Sequence, residues 1–162
     1  MPEVICDTSP LQYLWQLGSL HLLPALVNQV ILPPAVVEEL AVGRAKGVNL
    51  PDPLALNWII IRRPVSLAAL PLVNDLGPGE TEVLALALES TDAVVILDDA
   101  LARQVAETLG IRLIGTLGLL LDAKRAGLVS AVAPLLDQLQ ALRFRLAPRT
   151  RATVLKLAGE IE

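Results

Sequence analysis

The chain predicts an α/β domain in which a mostly parallel sheet is covered by helices on both faces. Two observations carry that expectation. The apolar, β-branched runs Val4-Ile5-Cys6 and Ala93-Val94-Val95-Ile96-Leu97 are continuous instead of alternating, as strands buried on both faces are. Such runs also alternate with stretches of helix length, and the connections are long enough for crossovers between parallel strands.

Each element has its own signals. Val4-Ile5-Cys6 reads as a buried strand stopped by Asp7-Thr8-Ser9-Pro10, with Cys6 a core side chain. A first helix is expected over Leu11 to Leu17, and a short second one over Leu20 to Val27, interrupted at Pro24. Gln29 to Leu32 is the next strand, and Pro33-Pro34 opens a helix over Ala35 to Val42, with Gly43 just past its end. Gly47 to Pro53 is loop, Trp58 to Ile61 a third strand, and an apolar but irregular stretch follows Pro64. Gly77-Pro78-Gly79 launches a helix over Glu80 to Glu89, and Ala93 to Leu97 is the clearest strand. A helix then runs to Leu109, where Gly110 stops it, and Ile111 to Ile114 forms another strand. A helix follows Gly115-Thr116 and closes at Gly127, while Ala131 to Arg143 and Arg151 to Ala158 are helical. No internal repeat or linker interrupts the chain. Residues 1–127 read as the α/β domain and 128–162 as helices packed on it or extending it.

Composition narrows the chemistry. The 162 residues are 54% hydrophobic, enough for one sizeable core, with 13 Lys and Arg against 17 Asp and Glu, one His and one Cys. A lone Cys6 excludes a disulfide framework and a multi-cysteine zinc site, and a lone His21 excludes a His-rich metal centre. A net charge of −4 excludes reliance on a global positive field, leaving local basic patches. No charged residue stands between Asp7 and Glu38, but Pro10, Pro24, Pro33 and Pro34 and several amides break that stretch. It is therefore expected to be buried and not membrane-spanning. Met1-Pro2-Glu3 is acidic where a secretory signal is basic, so a cytoplasmic location is expected.

The acidic residues supply the functional signal. In an open parallel sheet, ligands gather outside the carboxyl ends of strands. Asp7 follows the first strand directly and Asp98-Asp99 the Ala93 strand, so both open on one edge. The competing reading is that Asp7 starts a turn and Asp99 caps a helix. Glu80 is more discriminating, because Val83, Leu84, Ala87 and Leu88 lie at helical spacing from it and place it on the apolar face, with Glu82 and Glu89 directed elsewhere. A glutamate there needs compensation for its desolvation, such as a cation or a cluster of donors. On the Ala35 helix the apolar direction lies equally far from Glu38 and Glu39, so the helical wheel does not choose between them. Thr8, Ser9 and Thr116 are loop hydroxyls after strands, placed to orient a metal-bound water or to cap helices.

Together these segments resemble the PIN domain family. The resemblance is carried by the strand ending in Asp7-Thr8-Ser9, the Pro-Pro-x-Val-Val-Glu-Glu-Leu helix, Gly77-Pro78-Gly79-Glu80, and Ile96-Leu97-Asp98-Asp99 with Ala102-Arg103 and Ala106. Ile114-Gly115-Thr116-Leu117-Gly118 and Ala123-Lys124-Arg125-Ala126-Gly127 are similar to a prokaryotic branch related to VapC toxins. The resemblance implies a three-layer α/β/α sandwich with four to five strands and a metal-dependent ribonuclease. It maps the catalytic and metal-binding acids to Asp7, Glu39, Glu80 and Asp99, with Asp98 able to share or replace the role of Asp99. The match to Leu40 selects Glu39 over Glu38. The third acid is often Asp in the family and is Glu80 here, and the toxins are frequently more basic than this chain.

Hard oxygen ligands without His or Cys select Mg²⁺ or Mn²⁺. RNA is the expected substrate, with Arg143, Arg145, Arg149 and Arg151 as candidate contacts to its phosphates, in a stretch that carries no acid between Asp137 and Glu160. Solvated surface is the competing reading of that stretch. An aspartyl phosphatase beginning at Asp7-Thr8 would need a second Asp where Ser9 stands. The alternative function is a catalytically weak or inactive PIN-like binding module. A homodimer covering surplus apolar surface is expected, and the resemblance adds the toxin of a type II toxin–antitoxin pair with a small antitoxin as partner.

Overall fold

The computed structural model describes residues 2–68, 70 and 75–162. Of the irregular stretch expected after Pro64, residues 69 and 71–74 lie outside the described residues. The elements run β1 (Glu3–Cys6), α1 (Thr8–Gln16), α2 (Leu22–Val27), β2 (Val30–Leu32), α3 (Pro34–Ala45), β3 (Ile59–Ile61), α4 (Pro78–Glu89) and β4 (Ala93–Ile96). They continue with α5 (Ala100–Thr108), β5 (Arg112–Ile114), α6 (Thr116–Arg125), α7 (Ala133–Ala141) and α8 (Pro148–Leu157).

The five strands form one all-parallel sheet in the order β3-β2-β1-β4-β5. Ile5 pairs with Ile31 on one side and Val95 on the other, so β1 is central. The chain builds outward from β1 to β2 and β3, then returns to add β4 and β5 on the opposite side. Right-handed crossovers run in opposite directions along such a sheet and lay helices on both faces, giving three α/β/α layers. The order reverses between β1 and β4, and the carboxyl ends of those strands splay their following loops apart there.

Burial explains why the runs are uninterrupted. Ile5, Cys6, Val30, Leu32, Val95, Ile96 and Leu97 are almost wholly excluded from solvent, as are Leu11, Leu14, Leu40, Leu84 and Leu120 from the covering helices. Each large aliphatic so buried contributes about 1.5–3 kcal/mol relative to exposure. Val132, Leu136, Leu139 and Val154 bring α7 and α8 into the same core. Among the described residues no helix is long and apolar enough to cross a membrane.

Several boundaries depart from expectation for physical reasons. Helix α1 begins at Thr8 instead of Leu11, and α2 runs through Pro24 without interruption. Both prolines, Pro10 and Pro24, sit in a first helical turn, where the missing N–H has no partner to lose. Gly43 does not end α3 but lies inside it. A Cβ there would fall 2.3 Å from Leu50 Cδ1, so the glycine admits the returning loop, and Gly47, at φ +85°, follows the helix end. Pro78 and Pro148 begin α4 and α8, ahead of the expected starts.

Candidate active site

Asp7 lies at the switch point. Its amide donates to Ile96 O at 3.1 Å, tying the end of β1 to the end of β4. The side chain is only 4% exposed, and Oδ1 has no hydrogen-bond partner. Burial pushes its pKa up to about 7; the Thr8 amide works against this, and the carboxylates of Glu80, Glu39 and Asp98 add to it. A buried, unpaired carboxylate oxygen facing three further acids is costly unless something positive meets it.

The other acids are each held by a helix start. Glu39, from α3, accepts Thr8 Oγ1 at 2.5 Å and the Gly79 amide at 3.0 Å. A Cβ on Gly79 would stand 2.6 Å from Glu39 Oε2, so only glycine lets that carboxylate reach the start of α4. Glu38 is exposed, so the structure turns Glu39, not its neighbour, toward the other acids. Glu80 accepts the Gly77 amide at 3.0 Å, reaching back from the third position of α4 to cap its own helix start. Burial raises the Glu80 pKa, opposed by the Gly77 amide and reinforced by Asp99 and Glu39. Of the glutamates directed elsewhere, Glu82 accepts the Ala35 amide at 2.9 Å and caps α3, while Glu89 accepts the Val65 and Ser66 amides. The stretch Val83 to Ala87 is buried all round, because α4 packs against both the sheet and α3.

The adjacent aspartates divide their tasks. Asp98 accepts the Thr116 amide at 2.8 Å and Thr116 Oγ1 at 2.6 Å, joining β4 to the start of α6. Burial raises its pKa against the pull of Thr116 and Arg103. Asp99 is exposed and accepts the Ala102 amide at 2.9 Å as the cap of α5. Its charge is felt at Glu80, whereas that of Asp98 is felt at Asp7. Thr8 and Thr116 thus hold carboxylates, while Ser9, in the first turn of α1, makes no side-chain hydrogen bond among the described residues.

Five carboxylates therefore converge on one sheet edge over the starts of α1, α4, α5 and α6, whose partial positive charge offsets part of their repulsion. Among the described residues no three acids close round a common point as a ready coordination sphere. The reason is visible: four of the five are turned onto amides and hydroxyls. The donor chemistry suits a hard divalent cation, and the orphaned Asp7 oxygen is the group that such an ion would satisfy.

The arginine stretch is less uniform than its sequence. Arg151 is engaged with Asp137 at 2.7 Å and with Gln140 at 2.9 Å. Arg143 adopts φ +69° at the end of α7, and Arg145 and Arg149 are exposed. Only Arg145 lines a cavity that also contains Asp98. One residue with a part in the site was quoted in the sequence only as motif: Arg103, whose Nη1 donates to Leu97 O at 3.0 Å beside Asp98. The glycines before Glu80 and Thr116 were the available signal for close approach, since a Cβ on Gly115 would lie 2.6 Å from Arg103 Nη1 and 3.1 Å from Asp98 Oδ1.

The site is an acidic cluster at the switch point of a parallel sheet, where such folds gather their ligands. The family model described as PIN domain matches residues 3–160, and the chain belongs to that family. PIN domains are generally divalent-metal-dependent nucleases. No curated protein and no solved structure matches the chain.

Proposed function

We propose that the protein is an endoribonuclease that hydrolyses RNA phosphodiester bonds with Mg²⁺ or Mn²⁺. The observation that carries the reading is the Asp7 carboxylate, buried with one oxygen unpartnered in the field of Glu39, Glu80 and Asp98. Asp7, Glu39, Glu80 and the Asp98-Asp99 pair are the donors that would hold the ion. When bound, such a cation supplies a Lewis acid that activates water and neutralises charge on the phosphate. Thr8 and Thr116 orient Glu39 and Asp98, and the Gly79 and Thr116 amides at the starts of α4 and α6 aim those carboxylates at the edge.

Purified protein is expected to cleave single-stranded RNA only with a divalent cation, and Asp7→Asn to abolish cleavage while leaving the fold intact. Full activity in Asp7→Asn would sink the assignment. Calorimetry of Mn²⁺ binding, and its loss in Glu80→Gln, separates the metal site from catalysis.

One observation favours the second reading, a weak or inactive binding module: four of the carboxylates are already engaged by amides or hydroxyls, and among the described residues no three acids surround a common point. Metal binding without cleavage of diverse RNAs supports that reading. The toxin role belongs to the same proposal, supported by the likeness to VapC-related sequences, with a small antitoxin covering the acidic edge. Homodimerisation is supported by exposed Trp15, Val42 and Val48, which are 38%, 47% and 43% accessible. Light scattering on the purified chain tests it: a mass of one chain overturns the dimer.

A further inference from the structure

We infer that the cavity between the start of α6 and the segment joining α7 to α8 is a subsite for one unstacked nucleotide of a single-stranded RNA, next to the scissile phosphate. The inference rests on the ribonuclease reading for its substrate and on an independent set of residues for its geometry. The cavity holds about 450 Å³, within the range of small-molecule sites. Asp98 is part of its lining, so the cavity adjoins the acidic edge; Arg103, Leu117, Phe144, Arg145 and Thr150 line it as well.

Three features fit a nucleotide. Arg145 is exposed and forms no ion pair among the described residues, so its guanidinium is available for a phosphate, as a planar fork suited to paired oxygens. Arg103 is half-buried, spends Nη1 on Leu97 O, and lies close over Gly115, whose missing side chain admits the guanidinium beside Asp98. Leu117 and Phe144 supply an apolar wall, and Phe144 is braced edge-on by Tyr13 with ring centroids 5.0 Å apart. Base-on-aromatic packing tolerates any base, so the subsite selects an unpaired strand without selecting a sequence. Asp98 repels the phosphate toward Arg145, which leaves the base against Leu117 and Phe144. In a chain with net charge −4, two arginines concentrated beside the acids provide the positive potential that the composition lacks.

The test is fluorescence anisotropy of a labelled single-stranded RNA with the full chain in EDTA, so that binding is read without cleavage. Arg145→Gln is expected to weaken binding about tenfold and to flatten the dependence of log Kd on log salt by about one. Thr150→Trp, at an exposed lining position, narrows the cavity and is expected to weaken binding similarly. Arg125→Gln removes a positive charge at the far end of α6 and outside the cavity lining, and is expected to stay within about twofold of wild type, since a distant exposed charge is largely screened. Adenosine monophosphate as a probe is expected to shift the amide resonances of Leu117, Phe144 and Thr150. Binding unchanged in both Arg145→Gln and Thr150→Trp overturns the subsite, as does an Arg125→Gln loss equal to that of Arg145→Gln. Cleavage is scored separately: a wild type that binds through these residues but never cleaves keeps the subsite and overturns the nuclease reading.

Discussion

Asp7 is the residue on which the site turns, because burial among further acids strongly favours its protonated form. Its ordinary pKa of 3.8 rises to about 7 in the folded protein. Between those values the folded chain keeps a proton that the unfolded chain releases, so stability falls as pH rises through this window, and the penalty is complete above about pH 7. Chemical denaturation of the metal-free protein should show this directly. The stability of Asp7→Asn relative to wild type is expected to grow by up to about 4 kcal/mol between pH 4 and pH 8. A gap that stays constant with pH would show that Asp7 titrates normally. Gly79 acts at the same scale through what it lacks. Gly79→Ala improves helix propensity by about 1 kcal/mol, yet its methyl would occupy the place of the Glu39 carboxylate. The expected outcome is an unchanged melting temperature with cleavage reduced about a hundredfold, measured at saturating Mn²⁺.

At the scale of elements, the helices determine what each acid can do. Asp99 closes the first turn of α5, and Asp99→Ala is expected to cost about 1 kcal/mol of stability in denaturant unfolding. Asp98 instead joins the end of β4 to the start of α6, and in Asp98→Asn the amide oxygen can still accept from Thr116. Asp98→Asn is therefore expected to preserve stability and to weaken Mn²⁺ binding in calorimetry; the reverse pattern would exchange the roles of the two aspartates. Glu39 and Glu80 share α4 as a platform, one reaching it from α3 and the other capping it from within. Sliding α3 against α4 would thus move both donors, and Glu82, fixed to the Ala35 amide, resists that motion.

Over the whole molecule, one carboxylate adds a polar clasp to the apolar packing that holds the carboxyl-terminal helices on the sheet. Glu160 accepts the Val132 amide at 2.7 Å and the Ala133 amide at 3.0 Å, and pairs with Lys124 of α6 at 2.9 Å. Those amides and Lys124 hold its pKa down to about 2, below its ordinary 4.5. The lowered value means that its contribution is fully present above about pH 4.5 and is lost as pH falls toward 2. Wild type is accordingly expected to melt higher than Glu160→Gln at pH 7 and to lose that advantage in acid. The proposed nucleotide subsite would depend on this clasp indirectly, because Phe144 and Arg145 lie between the two helices that it helps to hold.

The sequence by itself determined the layering and the sheet edge on which the acids fall. Continuous apolar strands can be satisfied only between two layers of helices, and the chain places Asp7 and Asp98 directly after two of them. Periodicity also put Glu80 on the apolar side of its helix, since a helix face is a local property of spacing three and four. Local spacing had no means of choosing Glu39 over Glu38, which lie equally far from the apolar direction; the likeness to a family chose it, and packing of α3 against α4 displays the reason in Thr8 and Gly79. The arginine stretch was uniform in sequence and became heterogeneous in space, with Arg151 tied to Asp137 and Arg145 facing the cavity. Which acids feel one another, and which oxygen is left without a partner, was decided by tertiary structure alone, because burial and Coulomb coupling depend on distances between residues far apart in the chain.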